Sequence, residues 1–208
     1  MSTVLVLTSS ALGGASVSNQ LVQDAVAQLR LQDHDLRVIT RDLGGNPIPH
    51  LTIDSATALR GAEPTNPAQA AARALSDELI SELKAAQTLV IGAPMYNFGI
   101  ASTLKTWFDH VLRAGVTFKY SESGPVGLLE GKRAIVVVSR GGLYSEGPAK
   151  VMDSQEPHLR SLLGFMGIAN AFVRAEKLAF GPEAREKAID AARAQLAEVI
   201  EKEFREAA

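Results

Sequence analysis

The stretch TLVIGAPMYNFGIASTLKTWFDHV, residues 88–111, places a strand, a turn and a helix one after another. The apolar run Thr88–Ala93 predicts a buried strand, and apolar residues beyond the turn recur at helical spacing. Between them, the turn Pro94–Gly99 carries two large aromatic side chains, Tyr96 and Phe98. Because a strand-to-helix turn lies at the surface of a sheet, these aromatics either pack against a neighbouring loop or surround a flat ligand.

Strands and helices alternate along the rest of the chain as well. The other predicted strands are Thr3–Leu7, Asp35–Thr40, Arg133–Ser139 and Ala169–Ala175. Helices are predicted over residues 18–32, 65–86 and 154–165, after the turn of the opening stretch, and from Pro182 onward. Residues 41–66 are predicted to be irregular, with a short helix at 54–62. This alternation predicts a flavodoxin-like doubly wound α/β fold, a five-stranded parallel sheet with helices on both faces.

Composition excludes several functional classes. The 208 residues fit one domain spanning 1–208, and the net charge of −2, without blocks of like charge, argues against nucleic-acid partners and membrane surfaces. The chain has no cysteine, which excludes disulfides and thiol catalysis. The N-terminus lacks the pattern of a signal peptide, and no apolar stretch approaches the roughly 20 residues of a membrane span. We therefore expect a cytoplasmic protein.

Ligands of doubly wound sheets bind beyond the carboxyl ends of the strands, so the loop after the first strand is informative. It contains Ser10, Ser16 and Ser18, two glycines, and then the N-terminus of a helix, where free N–H groups favour an anion. With no lysine or arginine nearby, this loop suits one terminal phosphate better than a triphosphate. The GxxxxGK[ST] and GxGxxG patterns are absent. The alternative is a cluster of serines that only caps the helix.

The loops after the third and fourth strands offer groups suited to a flat ring. Met95, Tyr96, Asn97 and Phe98 provide flat and polarizable surfaces, although simple packing is the alternative. The loop after the fourth predicted strand contains paired glycines, Gly141 and Gly142. They allow the backbone to approach a ligand closely, or they merely form a tight turn. One phosphate, one flat heteroaromatic ring and polar groups at its far edge together predict FMN.

Three segments, SSALGGASVSNQL, APMYNFGIASTLKTWFDHVLRAGVTFKY and SRGGLYSEGP, resemble the bacterial FMN-dependent NADH-azoreductases, which are also quinone reductases. The resemblance extends over nearly the whole chain. It implies a flavodoxin-like homodimer with FMN near the subunit interface. It also implies an enzyme in which NADH or NADPH delivers hydride to FMN, and the flavin reduces quinones or azo compounds by two electrons in ping-pong turnover.

The resemblance also assigns roles to individual residues. It implies that Ser10, Ser16, Val17 and Ser18 hold the phosphate, that Met95, Tyr96, Asn97 and Phe98 line the ring, and that Ser139, Arg140, Gly141 and Gly142 lie at its pyrimidine edge. The VTFKY segment resembles the part that covers the substrate pocket, which makes Phe118 and Tyr120 candidates, with Tyr144 beside them. Many relatives have a polar residue in place of Val17 and His in place of Tyr144. No catalytic side chain is expected, because the flavin performs the chemistry, and the four histidines show no metal-ligand spacing.

The sequence also predicts association of the chain and leaves two alternative functions open. The apolar helix face that includes Trp107 and Val111 is predicted to lie in the core or in a partner interface. Together with VTFKY it indicates a dimer. An electron-transfer flavodoxin is one alternative, but the near-neutral charge and the long connection 41–66 disfavour it. A flavin-binding regulatory protein without turnover is the other, and NADH oxidation with menadione distinguishes it from an enzyme.

Overall fold

Seven strands are present in the computed structural model, which describes residues 2–61 and 63–207, with side chains up to residue 202. They are β1 (Thr3–Thr8), β2 (Arg37–Asp42), β3 (Thr88–Pro94), β4 (Phe118–Ser121), β5 (Gly124–Gly127), β6 (Arg133–Ser139) and β7 (Ala169–Ala175). All except β4 and β5 form one parallel sheet in the order β2-β1-β3-β6-β7. The predicted flavodoxin-like sheet is therefore confirmed.

In the described part of the chain, six α-helices connect or follow the strands. They are α1 (Val17–Gln32), α2 (Ile53–Leu59), α3 (Pro67–Ala85), α4 (Ser102–Val111), α5 (Glu156–Phe165) and α6 (Pro182–Ala207). Apolar residues of α1 and α6 pack on one face of the sheet, and those of α3, α4 and α5 pack on the other. Within the described ranges, no helix combines the length and the apolar character needed to cross a membrane.

Local signals placed most helix ends correctly. Asn66 caps α3 by accepting a hydrogen bond from the Gln69 N–H at 2.8 Å, and Pro67 occupies the first helical position. The short helix predicted in the long connection is present as α2, where Thr52 and Ser55 form a capping box. Ala62, the last residue of that predicted helix, lies outside the described residues.

The second strand begins two residues later than predicted. Residues 33–36 form a turn in which the Asp33 carboxylate accepts from the Asp35 N–H at 3.0 Å, and the Asp33 carbonyl accepts from the Leu36 N–H at 3.2 Å. Pairing with β1 therefore starts at Arg37, opposite Thr3.

The apolar face of α4 belongs to the core of this chain. Leu104, Trp107, Phe108 and Val111 have no exposed surface and pack with β3, β6 and α5. Of the two places predicted for Trp107 and Val111, the core or a subunit interface, the structure shows the core, and their burial in one copy of the chain removes them as an argument for a dimer. An amphipathic stripe identifies a face that must be covered, but it does not tell which element covers it.

The VTFKY segment leads into an antiparallel hairpin that the sequence analysis did not predict. Strands β4 and β5 pair from Phe118 opposite Gly127 to Ser121 opposite Gly124. The four-residue strand GPVG has neither alternation nor length, which are the signals of a strand. The hairpin docks through Gly127, where a Cβ would overlap the backbone of Met166 and Gly167.

Candidate active site

Three loops meet at the carboxyl edge of the sheet because the strand registers align there. Thr8 pairs with Gly92, and Pro94 pairs with Ser139, so β1, β3 and β6 end side by side. The loops that follow these strands are the serine loop (residues 9–16), the aromatic turn (residues 95–99) and the glycine loop (residues 140–146). These are the three loops that the sequence analysis singled out.

The serine loop leads directly into α1. Ser16 is the N-cap, and its Oγ accepts from the Asn19 N–H at 3.3 Å and lies 3.0 Å from Ser18 Oγ. Val17, the first residue of α1, buries its side chain in the core and so presents only its backbone. N–H groups in the first turn of a helix have no intrahelical partner, so this terminus presents donors and the positive end of the helix dipole. Helix capping and anion binding are thus compatible functions of the same serines.

Tyr96 joins the aromatic turn to the serine loop. Its hydroxyl accepts from the Ala11 N–H at 3.0 Å and lies 3.3 Å from Ser10 Oγ. Ser10 Oγ in turn accepts from the Leu12 N–H at 3.2 Å. Tyr96 therefore bridges the two loops, while its side chain stays partly accessible.

The aromatic turn is held in a strained conformation. Asn97 and Phe98 have φ values of 48° and 70°, a left-handed region that Asn tolerates and that a bulky residue such as Phe rarely adopts. Tyr96 and Gly99 exchange two backbone hydrogen bonds across the turn, at 3.0 and 3.1 Å. The Phe98 carbonyl accepts from the Ser154 N–H at 3.0 Å. Strain of about 1–3 kcal/mol per residue persists only where surrounding contacts impose it, and such residues cluster at functional sites.

The glycine loop brings Tyr144 against the aromatic turn. The Tyr144 ring folds back over Gly142, where a Cβ would lie 2.9 Å from the ring and would push it aside. Tyr144 meets Phe98 edge to face, with 6.0 Å between ring centroids. The Met95 N–H donates to the Ser139 carbonyl at 2.9 Å, which ties the two loops together at their base. Phe98 remains 40% exposed beside this contact.

Arg140 has a different place from the one that the sequence predicts. Its side chain is 1% exposed and points into the protein, where it donates to Gln155 at 2.9 Å, Asp153 at 3.0 Å and Glu176 at 3.1 Å. Its backbone N–H donates to Ala175, and its carbonyl accepts from Leu178. Because its polar groups are engaged within the protein, Arg140 holds the glycine loop in place rather than lining the ligand edge.

Glu176 is the site residue that the sequence analysis missed. It follows β7, and its Oε1 accepts from the N–H groups of Tyr144 at 2.8 Å and Ser145 at 3.0 Å. Burial disfavours the ionised form, but hydrogen bonds from Ser145, the Tyr144 N–H and Arg140 outweigh it and lower the pKa of Glu176. The available signal was a single acidic residue directly after β7, at the sheet edge where ligands bind.

The hairpin residues Phe118 and Tyr120 lie in a different aromatic group. Phe118 contacts Phe165 with centroids 4.6 Å apart and Tyr120 with centroids 5.6 Å apart. Phe118 also lines an apolar cavity of ≈ 330 Å³ with Leu112, Leu162 and Phe165. Across the described residues, the ring contacts of this group do not include Tyr96, Phe98 or Tyr144. Within one copy of the described chain, the hairpin aromatics therefore make no ring contact with the aromatics of the three loops.

The donors at the three loops fit FMN and do not fit a metal. The serine loop offers hydroxyls, amides and a helix N-terminus with no carboxylate, which suits a phosphate. The aromatic turn and Tyr144, which lies over Gly142, offer flat side chains at the same edge, which suit a ring. Among the described residues, no group of three or more His, Asp or Glu side chains lies close enough together to hold a metal ion.

Comparison with known proteins agrees with this geometry. The model of a family described by its flavodoxin-like fold matches residues 2–200. A Hyphomonas neptunium protein named FMN-dependent NADH:quinone oxidoreductase is 57% identical over 202 residues, covering 97% of each chain. The chain belongs to this flavodoxin-like oxidoreductase family. An Escherichia coli member with the same name is 50% identical, covering 96% of this chain and 99% of its own.

Solved structures of the oxidoreductase family share the architecture. An azoreductase from Bacillus anthracis superposes with a TM-score of 0.88 at 30% identity, over 97% of this chain and all of that one. An FMN-dependent NADH-azoreductase of the same species, solved with FMN, superposes with a TM-score of 0.86 at 25% identity, over 97% and 99% of the chains. The family predicted from the sequence motifs is confirmed.

Proposed function

We propose that this chain is an FMN-dependent oxidoreductase that uses NADH or NADPH to reduce quinones and azo compounds. The observation that carries the proposal is the meeting of a phosphate-type helix N-terminus, a strained aromatic turn and a glycine loop at one sheet edge. Its similarity to FMN-dependent NADH:quinone oxidoreductases and to azoreductases supports it. The flavodoxin-type electron carrier has no such support.

We assign the cofactor contacts loop by loop. Ser10, Ser16, Ser18 and the Val17 N–H would hold the phosphate, and Met95, Tyr96, Asn97 and Phe98 would line the ring. Ser139, Gly141 and Gly142 would meet its pyrimidine edge, with Arg140 supporting them from behind. When bound, FMN supplies a ring that takes hydride from the nicotinamide and passes two electrons to the acceptor. The protein binds and orients these molecules.

The purified protein is expected to be yellow and to release FMN, not FAD, on acid treatment. A loop that offers one helix N-terminus and no cationic side chain suits a single terminal phosphate rather than the diphosphate and second nucleotide of FAD. Chromatography of the released flavin against both standards decides between them. Release of FAD would show that the assignment of the serine loop is wrong.

We propose ping-pong turnover. The serine loop, the aromatic turn and the glycine loop would enclose the cofactor on several sides and leave one face open, bordered by Phe98 and Tyr144. Nicotinamide and acceptor both need that face, so NAD⁺ or NADP⁺ must leave before the acceptor enters. The balance for a quinone is NAD(P)H + H⁺ + quinone giving NAD(P)⁺ + hydroquinone.

Steady-state kinetics test both the activity and the order of events. Initial rates against NADH at several menadione concentrations should give parallel double-reciprocal lines. Intersecting lines would require a ternary complex and a second binding site. Absence of NADH oxidation with every quinone and azo dye tested would leave the non-catalytic flavin protein as the better explanation.

We further propose a cytoplasmic homodimer in which residues 1–208 form one FMN-binding domain and the hairpin β4–β5 helps to cover the pocket of the other subunit. The separation of Phe118 and Tyr120 from the three loops supports this arrangement. Tyr120 is 73% exposed at the end of its aromatic group, which leaves an apolar surface for a partner. Sedimentation velocity at micromolar concentration measures the assembly.

A further inference from the structure

Glu176 anchors the backbone of the glycine loop from the neighbouring strand. Its Oε1 accepts from the Tyr144 and Ser145 N–H groups, and its Oε2 accepts from the Ser145 hydroxyl. The Glu176 side chain is 9% exposed, so these bonds form where water competes little. Glu176, directly after β7, thereby positions Tyr144 and Ser145, which precede it by about thirty residues.

The anchored segment carries a side chain that borders the open face. Tyr144 is the residue whose N–H is held, and its ring lies between Gly142 and Phe98. A displacement of the Tyr144 backbone would change the contact with Phe98, because the ring is attached to that backbone through Cβ and meets Phe98 at a centroid distance of 6.0 Å. The position of this aromatic wall therefore depends on the Glu176 carboxylate.

A role limited to neutralising Arg140 does not account for these contacts. Arg140 also donates to Asp153 and to Gln155, and its Nη2 lies 3.7 Å from Glu156. Neutralisation of one guanidinium therefore does not require Glu176 as well. What Glu176 alone supplies is the set of acceptors for the two N–H groups and the hydroxyl of the loop.

We propose that Glu176 is a positioning residue for acceptor specificity, acting through Tyr144. It holds the loop so that the Tyr144 ring forms a wall of the slot in which a flat quinone lies. The inference rests on the proposed function. A larger, bicyclic quinone contacts more of that wall than a single-ring quinone, so Glu176 sets the preference between them.

The first test compares the specificity ratio of kcat/KM for menadione to kcat/KM for p-benzoquinone. Glu176→Ala is expected to lower this ratio about tenfold, because the released loop no longer holds the Tyr144 ring against the larger quinone. Glu176→Gln should restore the ratio to within about twofold of the wild type, because its carbonyl oxygen still accepts both N–H groups. A ratio is insensitive to the fraction of active enzyme, so partial unfolding does not change it.

Asp153→Asn is the matched control. It also removes a carboxylate that pairs with Arg140, but Asp153 makes no hydrogen bond to Tyr144 or Ser145 among the described contacts. The control is expected to lower stability and to leave the specificity ratio within about twofold of the wild type. Equal changes in both variants would overturn the proposal, since disruption of the Arg140 network would then explain them.

A double-mutant cycle tests the route through Tyr144. In a Tyr144→Ala background, adding Glu176→Ala should change the ratio by less than about twofold, because residues that act as one unit are not additive. If the two effects multiply instead, Glu176 does not act through Tyr144 and the proposal fails.

Hydrogen exchange separates the anchor from the enzymatic activity. The Tyr144 and Ser145 amides should exchange faster in Glu176→Ala than in the wild type, with no such change in Asp153→Asn. This readout holds even for a protein without turnover, so loss of the proposed function and loss of the anchor are distinguishable. Unchanged exchange at both amides in Glu176→Ala would overturn the inference.

Discussion

At the scale of single residues, Ser16 combines the capping of α1 with a place in the proposed phosphate site. The two roles separate in Ser16→Asp, because Asp and Ser cap helices about equally well while Asp adds a negative charge. We expect apo stability within about 1 kcal/mol of the wild type. FMN binding should weaken by more than about 2 kcal/mol through repulsion of the phosphate. Denaturant unfolding and quenching of flavin fluorescence measure the two quantities.

The matched control for Ser16→Asp is Asn66→Asp, which makes the equivalent change at the N-cap of α3. That cap hydrogen bonds Gln69 and lies outside the three loops, so FMN affinity should not change. If Ser16→Asp bound FMN as tightly as the control, the phosphate would have to be placed elsewhere.

Gly44 packs so closely against the serine loop that no side chain fits at this position. A Cβ at this position would overlap the carbonyl group of Ser10, which is backbone and cannot rotate away. Gly44→Ala should therefore displace the serine loop, lowering the free energy of unfolding by more than about 2 kcal/mol and weakening FMN binding. Both are measured by urea unfolding with and without FMN.

Gly164→Ala provides the comparison for Gly44→Ala. Gly164 lies in α5 with no atom within 4 Å of an added Cβ, so alanine should stabilise the helix by about 0.5–1 kcal/mol. A stabilising effect at Gly44 as well would mean that the loop after β2 does not pack on Ser10 as described.

At the scale of elements, ion pairs fasten α5 to the end of the sheet. Glu156 at the start of α5 accepts from Arg174 of β7 and from Arg160. Burial opposes ionisation of Glu156, but the bonds from Arg174 and Arg160 outweigh it and lower the pKa of its carboxyl from the ordinary value. The pKa of Glu176 is lowered in the same direction. Two ionised carboxylates therefore hold neighbouring parts of the site: Glu156 holds α5 against β7, and Glu176 holds the glycine loop.

These shifts predict the dependence of stability on pH. A carboxylate whose pKa is lowered by folding stabilises the protein fully above its unfolded value, and this contribution is lost as pH falls through the folded pKa. The free energy of unfolding should therefore fall from about pH 5 toward pH 3. Glu156→Gln should lower stability at pH 7 and make that fall shallower, as measured by urea unfolding at several pH values.

Glu183→Gln is the control for the acid series, since Glu183 is exposed on α6 and pairs with Lys187 at the surface. Surface pairs contribute little, so its pH profile should match the wild type. Parallel profiles for Glu156→Gln and the wild type would show that the buried pairs do not control acid sensitivity.

At the scale of the whole molecule, the hairpin β4–β5 is the surface proposed for the partner subunit. Tyr120→Lys places a charge on it and should shift the sedimentation coefficient toward a monomer while raising the KM for quinones. Leu31→Lys is matched in exposure, since Leu31 and Tyr120 are each 73% exposed, but Leu31 lies on α1. The control should leave assembly and KM unchanged, and equal behaviour of the two variants would contradict the placement of the interface.

The sequence alone determined the α/β class, most strand and helix positions and the three loops at the sheet edge. Periodicity, helix caps and apolar runs are local signals, and parallel strands bring their carboxyl ends together without further information. The same signals identified four residues of the proposed site from the sequence, because each lies in a loop that directly follows a strand: Ser10, Ser16, Tyr96 and Gly142.

Only the tertiary structure decided which polar and apolar groups meet across the chain. It placed the Arg140 guanidinium among Asp153, Gln155 and Glu176 instead of at the ligand edge. It also buried Trp107 within one copy of the chain. Hydrogen bonds between a loop and a residue about thirty positions away leave no periodic trace in the sequence. Burial depends likewise on which elements pack together, and an amphipathic pattern shows only that a face must be covered.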